Sequence, residues 1–359
     1  MSDYWYPLSV NTFREEEIEA ATAVLRSGNT TMGEKVEEFE EAFARFVDSP
    51  HAVMVNSGSS ADLLAARALD LRGEVIIPAV TWPTHVWSWV DACATVRFCD
   101  VDEVNTTTAL IAKQMVPGIT KAISVPHLMG IPVELPWATG ELALHEDCCE
   151  ALGATYKGKP VGYWSDVASW SFFFSHQMST MEGGMVTTPH QNVYDRLRSL
   201  RSHGWTRHKS DDKYTFDGPG YNVRPTEVAA AIGLVQLKRL PAFNAWRKAN
   251  HAEFERVLRG HPNITLPAVP EFAKPSWFGV PMFIENDRDG LARRLEEAGV
   301  ETRPILAGNL KAQPGFRGFY FGKTPGADRV QDHGLYVGLH PVASGHANRV
   351  AKLIGELAQ

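Results

Sequence analysis

The sequence predicts an α/β chain built on a large, mostly parallel sheet and completed by a smaller C-terminal α+β unit. Three observations carry this expectation. Short apolar runs alternate with helical segments from residue 51 onward, the rhythm of strands joined by crossover helices. The first run, HAVMV, feeds a Gly/Ser turn that opens directly into a helical segment. And 359 residues exceed the size at which a single hydrophobic core usually stops growing, so two domains are expected.

Taken in order, residues 14–48 read as helix interrupted near Gly28–Gly33. In GEKVEEFEEAFARF, Val36, Phe39, Phe43 and Phe46 recur at helical spacing among acids that face water. HAVMVNSG is a strand entering its turn, and SSADLLAARAL is the helix that follows. EVIIP, TVRFCDV, AISVPH and ELALHED are further short strands with the apolar character of a buried sheet. The segment YNVRPTEVAAAIGLVQLKRLPAFNAWRKANHAEFERVL is expected to form a pair of helices leading away from that sheet. Beyond it, FGVPMFI reads as a strand and DGLARRLEEAG as an amphipathic helix. The domains are drawn at 1–245 and 246–359.

Composition narrows the function. Apolar residues make up 44% and charged residues 21%, so a large core can form. The net charge of −7 argues against a nucleic-acid binder, and any anionic ligand must be held by local devices. Cys93, Cys99, Cys148 and Cys149 match no common zinc spacing and read as reduced thiols. MSDYWYPLSV lacks a basic segment followed by an apolar run. No apolar stretch approaches the roughly 20 residues that cross a bilayer. A soluble, cytoplasmic protein with no membrane partner is expected.

Four segments carry chemistry. In Asn56-Ser57-Gly58-Ser59-Ser60-Ala61, glycine permits close backbone approach, and the free N–H groups of a helix start favour a phosphate. The same turn could equally cap its helix. His145-Glu146-Asp147-Cys148-Cys149-Glu150 ends a strand, where ligands of open α/β sheets sit. An acid there can pair with a protonated heterocyclic nitrogen, or simply cap the next helix. The stretch from Ser169 to Gly184 runs an aromatic strand into a polar, glycine-rich turn with one imidazole, His176. The last segment, Gly220-Tyr221-Asn222-Val223-Arg224-Pro225-Thr226-Glu227, is a loop capping a helix.

In order and spacing these segments resemble the DegT/DnrJ/EryC1/StrS sugar aminotransferases, fold-type-I vitamin B6 enzymes that act on nucleotide-linked 4-ketosugars. The resemblance runs from LRSGNTTMGEKVEEFEEAF through DVDEVNTTT and EDCCEALGATYKGKPVG to GYNVRPTEVAAAIGLVQL. It implies an aspartate-aminotransferase-like fold and a site for pyridoxal or pyridoxamine 5′-phosphate. Ser59 and Ser60 match the turn that holds the coenzyme phosphate, and Ser171 matches a second phosphate donor. Trp82 matches the aromatic that stacks on the pyridine ring. Asp147 matches the partner of the ring nitrogen, and Glu150 lies where a polar group usually approaches the ring hydroxyl. Asn222 matches a residue that reaches the coenzyme phosphate of a partner subunit, which implies a homodimer with shared active sites.

One position departs from the main family. The pattern SFxxxKxxxxxEGG places a coenzyme-anchoring lysine where this chain has His176, and imidazole offers no primary amine. A small histidine branch resembles this chain in SFFFSHQMSTMEGGM, EDCCE, SWFGVPMF and ETRPILAGN. Its members are 3-dehydratases of 3,6-dideoxysugar biosynthesis. The resemblance implies removal of the C3 hydroxyl from a nucleotide-linked 4-keto-6-deoxyhexose, GDP-4-keto-6-deoxymannose above all. Ammonia would be released, and glutamate would restore the amine form of the coenzyme. An imidazole titrating near neutrality would move the protons. Arg303 and Asn309 are substrate-side candidates or loop-fixing residues; Trp277 and His340 are assigned no role. The two cysteine pairs do not match the iron–sulfur branch of C3 dehydratases, so no cluster is expected. An aminotransferase of the same family, or a non-catalytic ligand-binding relative, are the alternatives.

Overall fold

The computed structural model describes residues 4–135, 142–206, 214–341 and 345–359. The first helical stretch is two helices, α1 (Glu15–Ser27) and α2 (Glu34–Phe46). Val36, Phe39 and Phe43 of α2 are buried in one cluster, and Phe46 packs against it. The rings of Phe39 and Phe43 meet Phe172, while Phe43 also meets Trp170 edge-on. The apolar stripe read from helical spacing thus anchors the strand that leads to His176.

The chain then alternates as β1 (His51–Val55), α3 (Gly58–Leu69), β2 (Glu74–Pro78), α4 (Pro83–Asp91), β3 (Thr95–Cys99), α5 (Thr108–Ala112), β4 (Thr120–Pro126) and β5 (Ala143–Asp147). Glu141, the first residue of the expected strand ELALHED, lies outside the described residues, as do Met1 to Asp3. Two short strands follow, β6 (Thr155–Tyr156) and β7 (Lys159–Pro160), then β8 (Val167–Ser171), β9 (Gly184–Thr188) and α6 (Gln191–Arg201). The main sheet has seven strands in the order β1-β9-β8-β5-β4-β2-β3. Its ladders are parallel from β8 through β3. Only β9 runs against its neighbours β8 and β1. The parallel strands therefore end at one edge, where ligands of such sheets bind.

The expected helix pair is instead one 32-residue helix, α7 (Glu227–Leu258), with Pro241 inside it. An internal proline costs about 3 kcal/mol, and tertiary contacts outweigh it here. Leu240 and Phe243 flank it in buried positions. Gln236 and Arg239 both donate to the buried Glu17 of α1, at 2.7 and 2.6 Å. The boundary expected between residues 245 and 246 falls within this helix.

Beyond α7 come β10 (Ile264–Thr265), β11 (Ala273–Lys274), β12 (Gly279–Ile284), α8 (Arg288–Glu297), β13 (Thr302–Arg303), α9 (Pro325–His333), β14 (Gly334–Gly338) and α10 (His346–Leu357). A second, antiparallel sheet has the order β10-β12-β14-β13. Tyr6 bridges to Val300 and is buried with this sheet's core, so the N-terminal stretch packs on the C-terminal unit. Gly130 sets the join between the two units. Its φ is +78°, and a Cβ there would lie 2.6 Å from the Trp277 nitrogen; glycine alone lets the backbones meet. Phe278 N–H donates to Met129 O at 3.0 Å and Ser276 N–H to Gly130 O at 3.1 Å. Among the described residues, no helix is long and apolar enough to cross a membrane.

The start of α7 also caps α2. The buried Glu227 carboxylate accepts from Gly33 N–H and Val36 N–H through one oxygen and from Lys35 N–H through the other, at 2.8–2.9 Å. A carboxylate suits the donors and dipole of a helix start. Glu227→Ala leaves three donors without it and should cost on the order of 3 kcal/mol, read as a lower urea midpoint with unchanged slope. A change under about 0.5 kcal/mol would contradict the assignment.

Candidate active site

A cavity of about 500 Å³ opens at the edge where the parallel strands end. Ser59, Trp82, Asp147, Glu150, Ser171, His176 and Arg303 all line it. They come from the first turn of α3, the start of α4, the end of β5 and the residues just after it, the end of β8 and the loop beyond, and, from the second sheet, β13. Ser60, Asn222 and Asn309 are elsewhere.

The first turn of α3 forms one wall. Ser57 caps the helix by accepting from Ser60 N–H at 3.1 Å. Ser60 turns its own hydroxyl to Asn56 Oδ1 at 2.7 Å, so it closes the turn while Ser59 faces the cavity beside Thr84, 2.8 Å away. Gly58 is indispensable to this wall. A Cβ on it would meet Ser171 Cβ at 2.6 Å and Cys149 Sγ at 3.2 Å. The glycine lets the helix start sit directly on the ends of β5 and β8, with its free N–H groups toward the cavity.

Trp82 is the residue before α4 and is 54% exposed, unlike the core tryptophans Trp89 and Trp170, each 1% exposed. Asp147 closes the floor: its Oδ1 accepts from Cys149 N–H at 3.0 Å, and its Oδ2 lies 3.7 Å from His85 Nδ1. Glu150 accepts from Met129 N–H at 2.7 Å. Burial, assisted by the nearby Asp147 charge, pushes its carboxyl up to about 7.

His176 follows a turn in which its N–H donates to Phe173 O at 3.0 Å. The imidazole packs edge-on against Phe278 at 5.2 Å, and its Nδ1 is buried with no protein partner among the described residues. Burial, and secondarily the Arg247 guanidinium, push this imidazole down to about 3. That corrects the expected near-neutral titration: apolar rings and a buried cation hold the ring neutral, with a free lone pair. Arg247 also braces the backbone. Its guanidinium donates to His176 O at 3.3 Å, Trp277 O at 3.2 Å and Phe278 O at 2.9 Å, tying the histidine loop to the C-terminal unit.

Arg303 is exposed at the rim and paired with Glu301 at 3.0 Å. Asn309 is 1% exposed and fully committed. It donates to Thr324 and Asp328 at 3.1 and 2.7 Å and accepts from Lys311 N–H at 3.0 Å. Asn222 is exposed and accepts from Arg224 at 3.0 Å. Trp277 stacks on His251 at 3.5 Å, and His340 stacks on Tyr6 at 4.3 Å, both as packing. Asp62, Phe278 and Tyr336 also line the cavity, and the motifs do not announce them. The lone acid in the apolar helix SSADLLAARAL is the one available signal, since an unsolvated acid needs partners.

With this geometry described, comparison with known proteins is informative. GDP-4-keto-6-deoxy-D-mannose 3-dehydratase of Yersinia pseudotuberculosis is 36% identical over 373 residues, spanning 94% of this chain and 94% of that protein. The Escherichia coli GDP-4-keto-6-deoxy-D-mannose-3-dehydratase with bound hydrated PLP superposes with a TM-score of 0.91 at 34% identity, covering 99% of this chain and all of that one. A GDP-4-keto-6-deoxymannose-3-dehydratase variant with bound GDP-perosamine gives the same TM-score, identity and coverage. The model of the DegT/DnrJ/EryC1/StrS aminotransferase family matches residues 11–354. The chain belongs to the DegT/DnrJ/EryC1/StrS aminotransferase family.

Proposed function

We propose that this chain is a vitamin B6-dependent 3-dehydratase that converts GDP-4-keto-6-deoxymannose to its 3-deoxy 4-keto product in 3,6-dideoxysugar biosynthesis. The observation that carries this reading is His176: a neutral imidazole lining a cavity that, among the described residues, no lysine lines. The cavity fits the coenzyme. Gly58 leaves a cradle that a side chain would fill, and the α3 start with Ser59 and Ser171 offers donors suited to a phosphate. Asp147 supplies a carboxylate at the floor, and Trp82 an open indole face at the mouth.

When bound, the coenzyme accepts and returns an electron pair, so that the sugar C3–O bond breaks, a C3–H bond forms, and glutamate leaves as its keto acid plus ammonia. Asp147 would hold the ring nitrogen in its protonated form. His176 would take a proton at Nε2, the ring nitrogen that is not buried, and return it to the departing C3 oxygen. Phe173 and Phe278 exclude water around that imidazole, and Arg247 fixes its backbone. Arg303 at the rim is placed to meet the nucleotide diphosphate. Asn222 lies outside this chain's own cavity, so a phosphate contact by it requires a second copy; a homodimer with shared sites, working in the cytoplasm, completes the reading. Within one chain, two domains would divide along α7, with the N-terminal stretch carried on the second.

Incubation with coenzyme, glutamate and GDP-4-keto-6-deoxymannose should yield ammonia and a sugar lighter by one oxygen atom. His176→Asn should bind coenzyme normally and lose at least roughly 10²-fold in turnover; an amino sugar as the main product would replace the dehydratase reading with a transaminase.

Glu150 supplies a pH signature. Its protonated form can donate to the ring oxygen of the coenzyme, and its ionised form repels that oxygen. Coenzyme affinity of the cofactor-free protein should weaken as pH rises through about 7. Glu150→Gln should flatten that transition in a fluorescence titration; an unchanged transition would place its source elsewhere.

A further inference from the structure

Beneath the cavity floor runs a chain of buried polar side chains that the mechanism above does not use. It starts at Asp62 on α3, whose Oδ1 is 2.5 Å from Ser169 Oγ on β8. Ser169 Oγ is 3.0 Å from His145 Nε2 on β5, and His145 Nδ1 is 2.7 Å from Ser124 Oγ on β4. Ser124 Oγ is 2.5 Å from His85 Nε2 on α4. His85 Nδ1 then faces Thr81 Oγ1 at 2.7 Å and Asp147 Oδ2 at 3.7 Å. The chain crosses three neighbouring strands, and Asp62, Asp147, Ser124, His145, Ser169 and His85 are each no more than 6% exposed. Its two ends also meet directly, because carboxylate oxygens of Asp62 and Asp147 lie within 4.8 Å of each other.

Hydrogen counting leaves this chain two arrangements. Each neutral imidazole has one N–H and one lone pair, and each hydroxyl has one hydrogen. Trp89 Nε1–H can only donate, and it donates to Ser124 at 2.9 Å, so Ser124 can give its hydrogen to just one of its two imidazoles. If Ser124 donates to His145, the hydrogens all point toward Asp62, which accepts from Ser169 and needs no proton of its own. His85 then turns a lone pair toward Asp147. If Ser124 donates to His85, every bond reverses: Asp62 must be protonated and donate to Ser169, and His85 gives its Nδ1–H to Thr81 Oγ1 at 2.7 Å, with Asp147 Oδ2 3.7 Å away on the same side. Mixed patterns would set two lone pairs or two hydrogens against each other in a dry interior.

We propose that Asp62 is a positioning residue for Asp147: as a protonated acid it sets the polarity of the Ser169–His145–Ser124–His85 chain. The His85 Nδ1–H, held by Thr81, then turns its positive end to the side of Asp147, which carries the one negative charge of the pair. The proposal rests on the reading of Asp147 as partner of the coenzyme's ring nitrogen. Two carboxylates this close in a dry site do not both ionise. Burial and the Asp147 charge hold the Asp62 carboxyl well above its ordinary range against the opposing Ser169 hydrogen bond. Burial likewise keeps both imidazoles neutral, lowering His85 against the pull of Asp147 and lowering His145 with help from His85 and His127. Of the other groups packed there, burial raises the Cys148 and Cys149 thiols, and His127 is engaged with Glu146 at 2.9 Å.

The test is nitrogen-15 NMR of the histidine rings in cofactor-free protein, which reads tautomers with no turnover required. His85 and His145 should both carry their hydrogen on Nδ1. Asp62→Asn keeps a donor to Ser169 and should retain that tautomer pair, whereas Asp62→Leu removes it and should shift both rings toward the Nε2–H form. Hydrogen on Nε2 of His85 in the unaltered protein would overturn the proposal, as would Asp62→Asn and Asp62→Leu giving the same spectra. Failure of the coenzyme to bind would strike the functional reading alone, since these spectra are recorded without it.

Discussion

An imidazole at position 176 cannot bond the coenzyme covalently, and that constraint shapes the rest of the site. Everything that a lysine anchor would do must be done by shape and non-covalent contact. The close approach at Gly58 supplies the shape, because it brings the donor-rich start of α3 within van der Waals reach of Ser171 and Cys149. Asp147 on the floor and Trp82 at the mouth bracket the space between. A coenzyme held in this way can leave and re-enter, which suits a reaction that uses its amine form as a consumed reagent.

The same constraint bears on proton chemistry. Anchoring lysines double as proton shuttles, and in the proposed reaction the histidine in that place would carry the proton instead. Burial beside Phe173 and Phe278, and the buried Arg247, keep the imidazole of His176 neutral, and its Nδ1 has no hydrogen-bond partner among the described residues. Arg247 reaches it from α7, the helix that spans both units of the chain. The histidine loop, the C-terminal strand β12 and the long helix therefore form one braced assembly around the reacting position.

Much of this was legible in the sequence. The stripe Val36, Phe39, Phe43 and Phe46 announced the helix and its buried face, because helical spacing reports burial directly. The strands showed as apolar runs, and the strand-end motifs supplied half of the cavity lining. Other features depend on partners distant in the chain. The segment from Tyr221 to Leu258 read as a pair of helices, and packing on α1 carries α7 unbroken through Pro241. Ser60 and Ser59 are indistinguishable in a motif, yet only the turn geometry decides which faces the cavity. Asn309 offered two readings until its amide was seen to be fully spent on Thr324 and Asp328. The chain from Asp62 to His85 is the clearest case. It exists because β8, β5 and β4 lie side by side with Ser124 opposite His145, a register that no local pattern encodes.

In the proposed reaction His176 moves the proton at the coenzyme carbon that carries its amine. Pyridoxamine phosphate labelled with deuterium at that carbon makes this step visible. In the presence of GDP-4-keto-6-deoxymannose, the unaltered protein should wash the label into water, and the His176→Asn variant should retain it. Equal loss of label from both proteins would contradict the account.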